Sequence, residues 1–247
     1  MNQAKTAAII IGAKGGIGSA IVDQLEHDPE IDIIFGVTRY VNAEQAKKNK
    51  KLIWLQSDES EQSIQSVSSQ ILREKVTLRF IIIASGVLHD PVREIKPEKR
   101  IDDLQYKNLH YVFNTNTFMP LIWIKELQKT FKISEPTTIA VLSARVGSIS
   151  DNHLGGWYAY RASKSALNML LKCLAIELSR RYPKTKLISF HPGTTNTKLS
   201  KPYQKGLAPE RIFTTDFVAE RLYLLLKEST ADGVLSFKDW DHQDIDW

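Results

Sequence analysis

The chain has 247 residues, 43% of them hydrophobic and 25% charged, with a formal charge of +5 and one cysteine. That length fits one large α/β domain or two small ones, and the apolar fraction can build a sizeable core. The lone Cys173 excludes an internal disulfide or a multi-cysteine metal site, and no apolar run approaches the roughly 20 residues of a membrane span, so a reducing cytoplasm is the expected setting.

Read in order, strand-like and helix-like segments alternate. Strands are expected at 6–12, 31–37, 52–56, 78–84, 138–143 and 186–190, with a weaker one at 234–237. Helices are expected at 17–26, 44–50, 61–74, 103–130, 159–181 and 215–227, with Thr214 or Thr215 capping the last. Several strands are continuous apolar runs, such as Ala7-Ala8-Ile9-Ile10-Ile11, as buried parallel strands require. The expected fold is therefore a single α/β domain: a doubly wound, Rossmann-like parallel sheet of about seven strands with helices on both faces. Ligands of such sheets bind beyond the carboxyl ends of the strands.

The turn after the first strand reads Gly12-Ala13-Lys14-Gly15-Gly16-Ile17-Gly18. Glycines let the backbone turn sharply and approach a pyrophosphate, and the amides of the following helix face the anion. Gly12, Lys14, Gly15, Gly16, Ile17 and Gly18 are thus a candidate dinucleotide cradle. An acid at the end of the second strand would select the ribose of NAD, but residues 36–40 contain none. Arg39, helped by Lys14, suits a 2′-phosphate, so NADP(H) is expected over NAD(H). The Lys47, Lys48, Lys50 and Lys51 cluster lacks interleaved aromatics and reads as a solvated helix end; no nucleic-acid or membrane partner is expected.

Tyr160 and Lys164 lie four residues apart, one helical turn on one face. An ammonium so placed favours the phenolate and lowers the tyrosine pKa toward neutrality, making a general acid or base. The six histidines, at 27, 89, 110, 153, 191 and 242, show no metal-ligand spacing.

With the glycine turn near the start and the Tyr–Lys pair past mid-chain, the sequence resembles the short-chain dehydrogenase/reductases over nearly its whole length. The Gly155-to-Lys164 run, His191-Pro192-Gly193 and the Trp-containing tail look like the C-factor-like and sniffer-like carbonyl reductase branch. The resemblance implies an oxidoreductase moving a hydride between a nicotinamide and a small carbonyl or alcohol. It makes Tyr160 the proton donor, Lys164 its tuner and cofactor ligand, and Asn116 the helix-bending residue of a water relay, with Asn114 a competitor. Pro192, Gly193, Thr195 and Thr197 match the segment that orients the carboxamide and covers the pyrophosphate. Homodimers or homotetramers built on the long helices are also implied.

Departures matter equally. The family's second serine after the fifth strand is replaced here by Ala144. Either Ser143 turns inward, or Ser148 substitutes, or no serine polarises the carbonyl. The family's Asn pair after the fourth strand is missing, leaving Ser85 and Gly86 at the adenosine half, while Ser57 or Asp58 stands where an adenine-contacting Asp is often found. These losses keep a rival open, a low-turnover cofactor-binding regulatory protein on the same fold. A sugar epimerase or dehydratase shares the Tyr and Lys but usually needs a larger C-terminal substrate domain. Trp157 and His153 are expected to flank the site. Residues 198–214 are expected to lie over it as a lid.

Overall fold

The computed structural model describes residues 4–41 and 51–247. The helix expected at 44–50, and Lys47, Lys48 and Lys50 of the basic cluster, lie outside the described residues. Seven strands form one parallel sheet: β1 (Thr6–Ile11), β2 (Ile33–Thr38), β3 (Leu52–Gln56), β4 (Thr77–Ile83), β5 (Thr137–Leu142), β6 (Thr185–His191) and β7 (Leu235–Asp239). Their order is β3-β2-β1-β4-β5-β6-β7. The chain therefore reverses its direction of travel across the sheet between β1 and β4, the switch point at which such folds open a crevice.

Alternation along each strand feeds two cores. Ala7, Ile9 and Ile11 pack with α2 (Glu61–Arg73), α4 (Met119–Leu127) and α5 (Tyr158–Arg181), through residues such as Ile64, Trp123 and Leu171. Ala8 and Ile10 pack on the other face with α1 (Gly16–Glu26) and α6 (Thr215–Glu228), through Leu25 and Leu222. Burial on both faces is why these strands read as unbroken apolar runs. No helix among the described residues is long and apolar enough to cross a membrane.

One expected helix is interrupted. Residues 103–130 form α3 (Tyr106–Phe113), a π turn at Asn114–Phe118, then α4 and a closing 3₁₀ turn at Gln128–Thr130. Pro120 accounts for the break, since it has no N–H to offer the Asn116 carbonyl four residues back. The Met119 amide instead reaches the Asn114 carbonyl, the i−5 pattern of a π turn. Asn116 is drawn inward at that turn and is fully buried.

The start of α6 is decided between two threonines. Thr214 Oγ1 accepts the Phe217 amide at 3.1 Å, whereas Thr215 Oγ1 only approaches Asp216 at 3.4 Å. Thr214→Ala should cost about 1 kcal/mol and lower Tm by about 2–4 °C. Thr215→Ala should cost less; calorimetry of the two variants checks the order.

Candidate active site

The glycine turn closes on contacts that leave no room for side chains. A Cβ on Gly18 would lie 2.2 Å from the Gly12 carbonyl oxygen. Gly12 itself is left-handed at φ 85°, and a Cβ there would meet the Ser85 amide nitrogen at 2.9 Å. The β1 and β4 loops thus touch backbone to backbone at the switch point. No side chain caps α1, whose N-cap is Gly15, so its first amides are left for an external acceptor. Gly16 faces Thr197, whose methyl would sit 2.9 Å from an added Cβ. This brings the segment after β6 over the turn. Gly193, at φ 69°, tucks beneath Phe213 and Trp240, and Thr195 Oγ1 donates to the Pro192 carbonyl at 3.1 Å.

Tyr160, Lys164 and Asn168 repeat at one-turn intervals on the inner face of α5, and all three are buried. Lys164 Nζ donates to the Leu142 carbonyl at the end of β5, at 2.7 Å, and lies 5.9 Å from the centre of the Tyr160 ring. Gly147 permits this closeness, since a Cβ there would strike the Lys164 Cβ at 2.8 Å. The expected lowering of the tyrosine is corrected by the structure. Burial pushes the Tyr160 phenol up to about 12, and burial pulls Lys164 down to about 7. Loss of solvent disfavours the charged form of each.

Asn116 joins three elements. Its Oδ1 accepts the Val87 amide at 2.8 Å, and its Nδ2 donates to the Val87 carbonyl at 2.8 Å and to Ser163 Oγ at 3.1 Å. Ser163 Oγ in turn donates to the Tyr160 carbonyl at 2.8 Å. Asn114 makes no such side-chain bond among the described residues.

Neither candidate serine faces Tyr160. Ser143 Oγ donates to Asn168 Oδ1 at 2.9 Å, which also accepts Ser189 Oγ at 2.6 Å, so its hydroxyl ties β5 to α5. Ser148 Oγ contacts Ser150 Oγ at 3.2 Å and accepts the Asp151 amide, bracing its own turn. Ala144 occupies the place beside the phenol, in a cluster with Leu88 and Tyr160. Val146, Trp157, Leu199 and Tyr203 pack around that cluster.

Leu199 and Tyr203, from the 198–214 segment, pack against this cluster. Tyr203 meets Trp157 edge-on at 5.1 Å between ring centres, and Trp157 meets Tyr160 at 6.3 Å. His89 closes the side, 5.7 Å from Tyr203, with Nε2 at 3.2 Å from the Lys198 carbonyl oxygen. His153 is exposed and takes no part. Sequence reading missed His89, Leu88 and the individual role of Tyr203, because none lies in a periodic or spaced pattern.

The remaining candidates sit at the other end of the crevice. Lys14 Nζ donates to the Tyr40 carbonyl at 2.6 Å and lies over the Tyr40 and Trp54 rings. Arg39 is exposed beside it. Arg39 also attracts Glu59, whose carboxyl burial nevertheless raises. Ser57 and Asp58 are engaged in starting α2. Ser57 Oγ accepts the Glu59 amide, and Asp58 Oδ1 accepts the Ser60 amide, a bond that with the Ser60 side chain lowers the Asp58 pKa. Ser85 Oγ is buried with no partner, and a Cβ on Gly86 would stand 3.8 Å from Lys164 Nζ. An uncapped helix, a glycine-rich turn and an orphaned hydroxyl along one crevice fit a dinucleotide.

The model described as short chain dehydrogenase matches residues 6–208. The protein belongs to the short-chain dehydrogenase family and is an oxidoreductase. It is 26% identical over 198 residues to 1-hydroxy-2-glutathionyl-2-methyl-3-butene dehydrogenase of Rhodococcus sp. (strain AD45), spanning 80% of this chain and 81% of that one. Among solved structures, carbonyl reductase Sniffer of D. melanogaster aligns with a TM-score of 0.81 at 23% identity, over 99% of this chain and 100% of its own. The NADPH bound carbonyl reductase from chicken fatty liver aligns with a TM-score of 0.81 at 21% identity, over 100% and 96%. At these identities the structural likeness is one of fold.

The buried ammonium has a measurable signature. Unfolded, Lys164 holds its proton to about pH 10.4, whereas folded it releases it near pH 7. Between those values the unfolded chain binds more protons, so this site's contribution to stability rises with pH and is lost as pH falls toward 7. Denaturation of wild type and Lys164→Met should show their stability difference shifting toward wild type by up to about 1.4 kcal/mol per pH unit in that window. A pH-independent difference would contradict this account.

Proposed function

We propose that the enzyme reduces a small ketone or aldehyde with NADPH, and that Tyr160 gives the proton to the carbonyl oxygen. The observation that carries this reading is the placement of Tyr160. It is a phenol kept protonated by burial, packed in an apolar cluster with Leu88 and Ala144 and close to a glycine turn fitted for a dinucleotide. When bound, the dinucleotide supplies the hydride. Gly12, Gly15, Gly16, Ile17 and Gly18 would hold its pyrophosphate, with Ser85 and Gly86 at the adenosine half. Pro192, Gly193, Thr195 and Thr197 would hold the nicotinamide end.

Each side chain near Tyr160 has a stated part. Lys164, with Nζ 5.9 Å from the Tyr160 ring centre, would in its protonated form stabilise the negative charge left on the phenol when Tyr160 gives up its proton. Asn116 holds the π turn against the β4 loop and supports proton resupply. Ser143 and Ser148 are assigned structural roles, and Ala144 leaves the carbonyl without a serine donor. Losing one such donor lowers rate by about 10² to 10³. Ala144 is also the observation that favours the second reading, a cofactor-binding regulatory protein with little turnover.

Arg39 and Lys14, with no acid on residues 36–40, support NADPH over NADH. The 198–214 segment, with Tyr203, serves as the specificity lid. The exposed Met169, Leu170 and Ile176 on α5 suit a homodimer, and the one cysteine suits the cytoplasm.

Two measurements test this. Following NADPH oxidation over a panel of small carbonyls, Tyr160→Phe should lower kcat/KM by about 10² to 10⁴ while leaving NADPH binding intact. Tight NADPH binding with equal, negligible turnover in both proteins selects the regulatory reading. In fluorescence titrations, Arg39→Asp should weaken NADPH by about tenfold or more and leave NADH unchanged.

A further inference from the structure

Trp157 is a backbone outlier at the entrance of α5. It lies at φ 51° and ψ 42°, directly after Gly155 and Gly156, each at φ 64°. Glycine adopts that conformation freely, whereas a bulky side chain is strained there and persists only where its surroundings over-determine it. Glu98, in the irregular stretch between β4 and α3, supplies the restraint. Its carbonyl accepts the Trp157 amide at 2.5 Å, and its carboxylate accepts the Ala159 amide at 3.1 Å. A Cβ on Gly156 would already touch the Glu98 carbonyl oxygen at 3.4 Å, so the two segments lie in direct contact.

Glu98 is an unusual residue to bury. It is 3% exposed, and among the described residues no Lys, Arg or His forms an ion pair with it. A carboxylate hidden this way requires compensation, and the amides at the positive end of the 24-residue α5 provide it. Ala159 immediately precedes Tyr160, so the clasp acts on the first turn of the helix that carries the phenol.

We propose that Glu98 is a positioning residue for proton transfer. Its carbonyl and carboxylate clamp the first turn of α5, holding Trp157 left-handed against Tyr160 and the phenol at the carbonyl pocket. This rests on the reading of Tyr160 as proton donor. The clamp itself is independent of turnover.

The test compares Glu98→Ala, which removes the acceptor for the Ala159 amide, with Glu98→Gln, whose side-chain oxygen still accepts it. Glu98→Ala should lower kcat/KM by about 10²-fold, mostly through kcat, with the NADPH Kd within about twofold of wild type. Glu98→Gln should recover at least about tenfold of that loss. Hydrogen exchange of segment 155–162 should accelerate in the Ala variant and stay near wild type in the Gln variant. The proposal is overturned if Glu98→Ala leaves turnover or exchange unchanged, if it weakens NADPH as much as turnover, or if Gln is as poor as Ala. A wild type without carbonyl turnover, but with exchange that depends on Glu98, would sink the proton-donor reading and leave the clamp standing.

Discussion

The Lys164 ammonium bonded to the Leu142 carbonyl is the contact on which the site depends. It joins the middle of α5 to the tip of β5 and so sets where the inner face of that helix meets the sheet. A charge buried there is costly, and the cost appears as the depressed Lys164 proton affinity. Under the proposed proton transfer, Lys164 is the group placed to answer the negative charge left on the phenol. Tyr160, raised by the same burial, is the complementary half. Burial thus disfavours the charged form of each group.

Around that contact the fold converges from every direction. Parallel strands point all their carboxyl ends the same way, so the loops after β1, β4, β5 and β6 gather at one edge. Backbone contact between Gly12 and Ser85 closes the crevice on one side, and Asn116 pins the β4 loop to α5 on the other. The π turn at Asn114–Phe118 is what lets Asn116 reach inward, and Pro120 is its chemical cause. A helical irregularity arising from a missing N–H thus places Asn116 between the β4 loop and α5.

The two ends of the crevice differ in character. The glycine turn is almost free of side chains, uncapped and flanked by Lys14 and Arg39, and it suits an anionic ligand. Tyr160 at the other end is packed among Leu88, Ala144, Val146, Trp157, Leu199 and Tyr203, an apolar environment. Ala144 contributes a methyl, not a hydroxyl, to that cluster.

All seven strands were legible in the sequence to within two residues, because burial on both faces writes continuous apolar runs that few other structures require. Local spacing likewise carried the glycine turn and the placing of Tyr160 and Lys164 on one helical face, since both depend on near neighbours in the chain. What spacing could not supply was environment. The shift of Tyr160 upward and of Lys164 downward comes from the walls brought by β5, the β4 loop and the 198–214 segment, which are distant in sequence. The direction of the Ser143 hydroxyl was settled by Asn168 and Ser189, and the break in the long helix by Pro120 together with Val87. Glu98 and His89 carry no motif and became visible only when folding set them against Ala159 and Tyr203. The amino-acid order determined the scaffold and the one-face spacing of Tyr160 and Lys164; tertiary packing decided their protonation, their partners and their cover, because those depend on which distant groups exclude water.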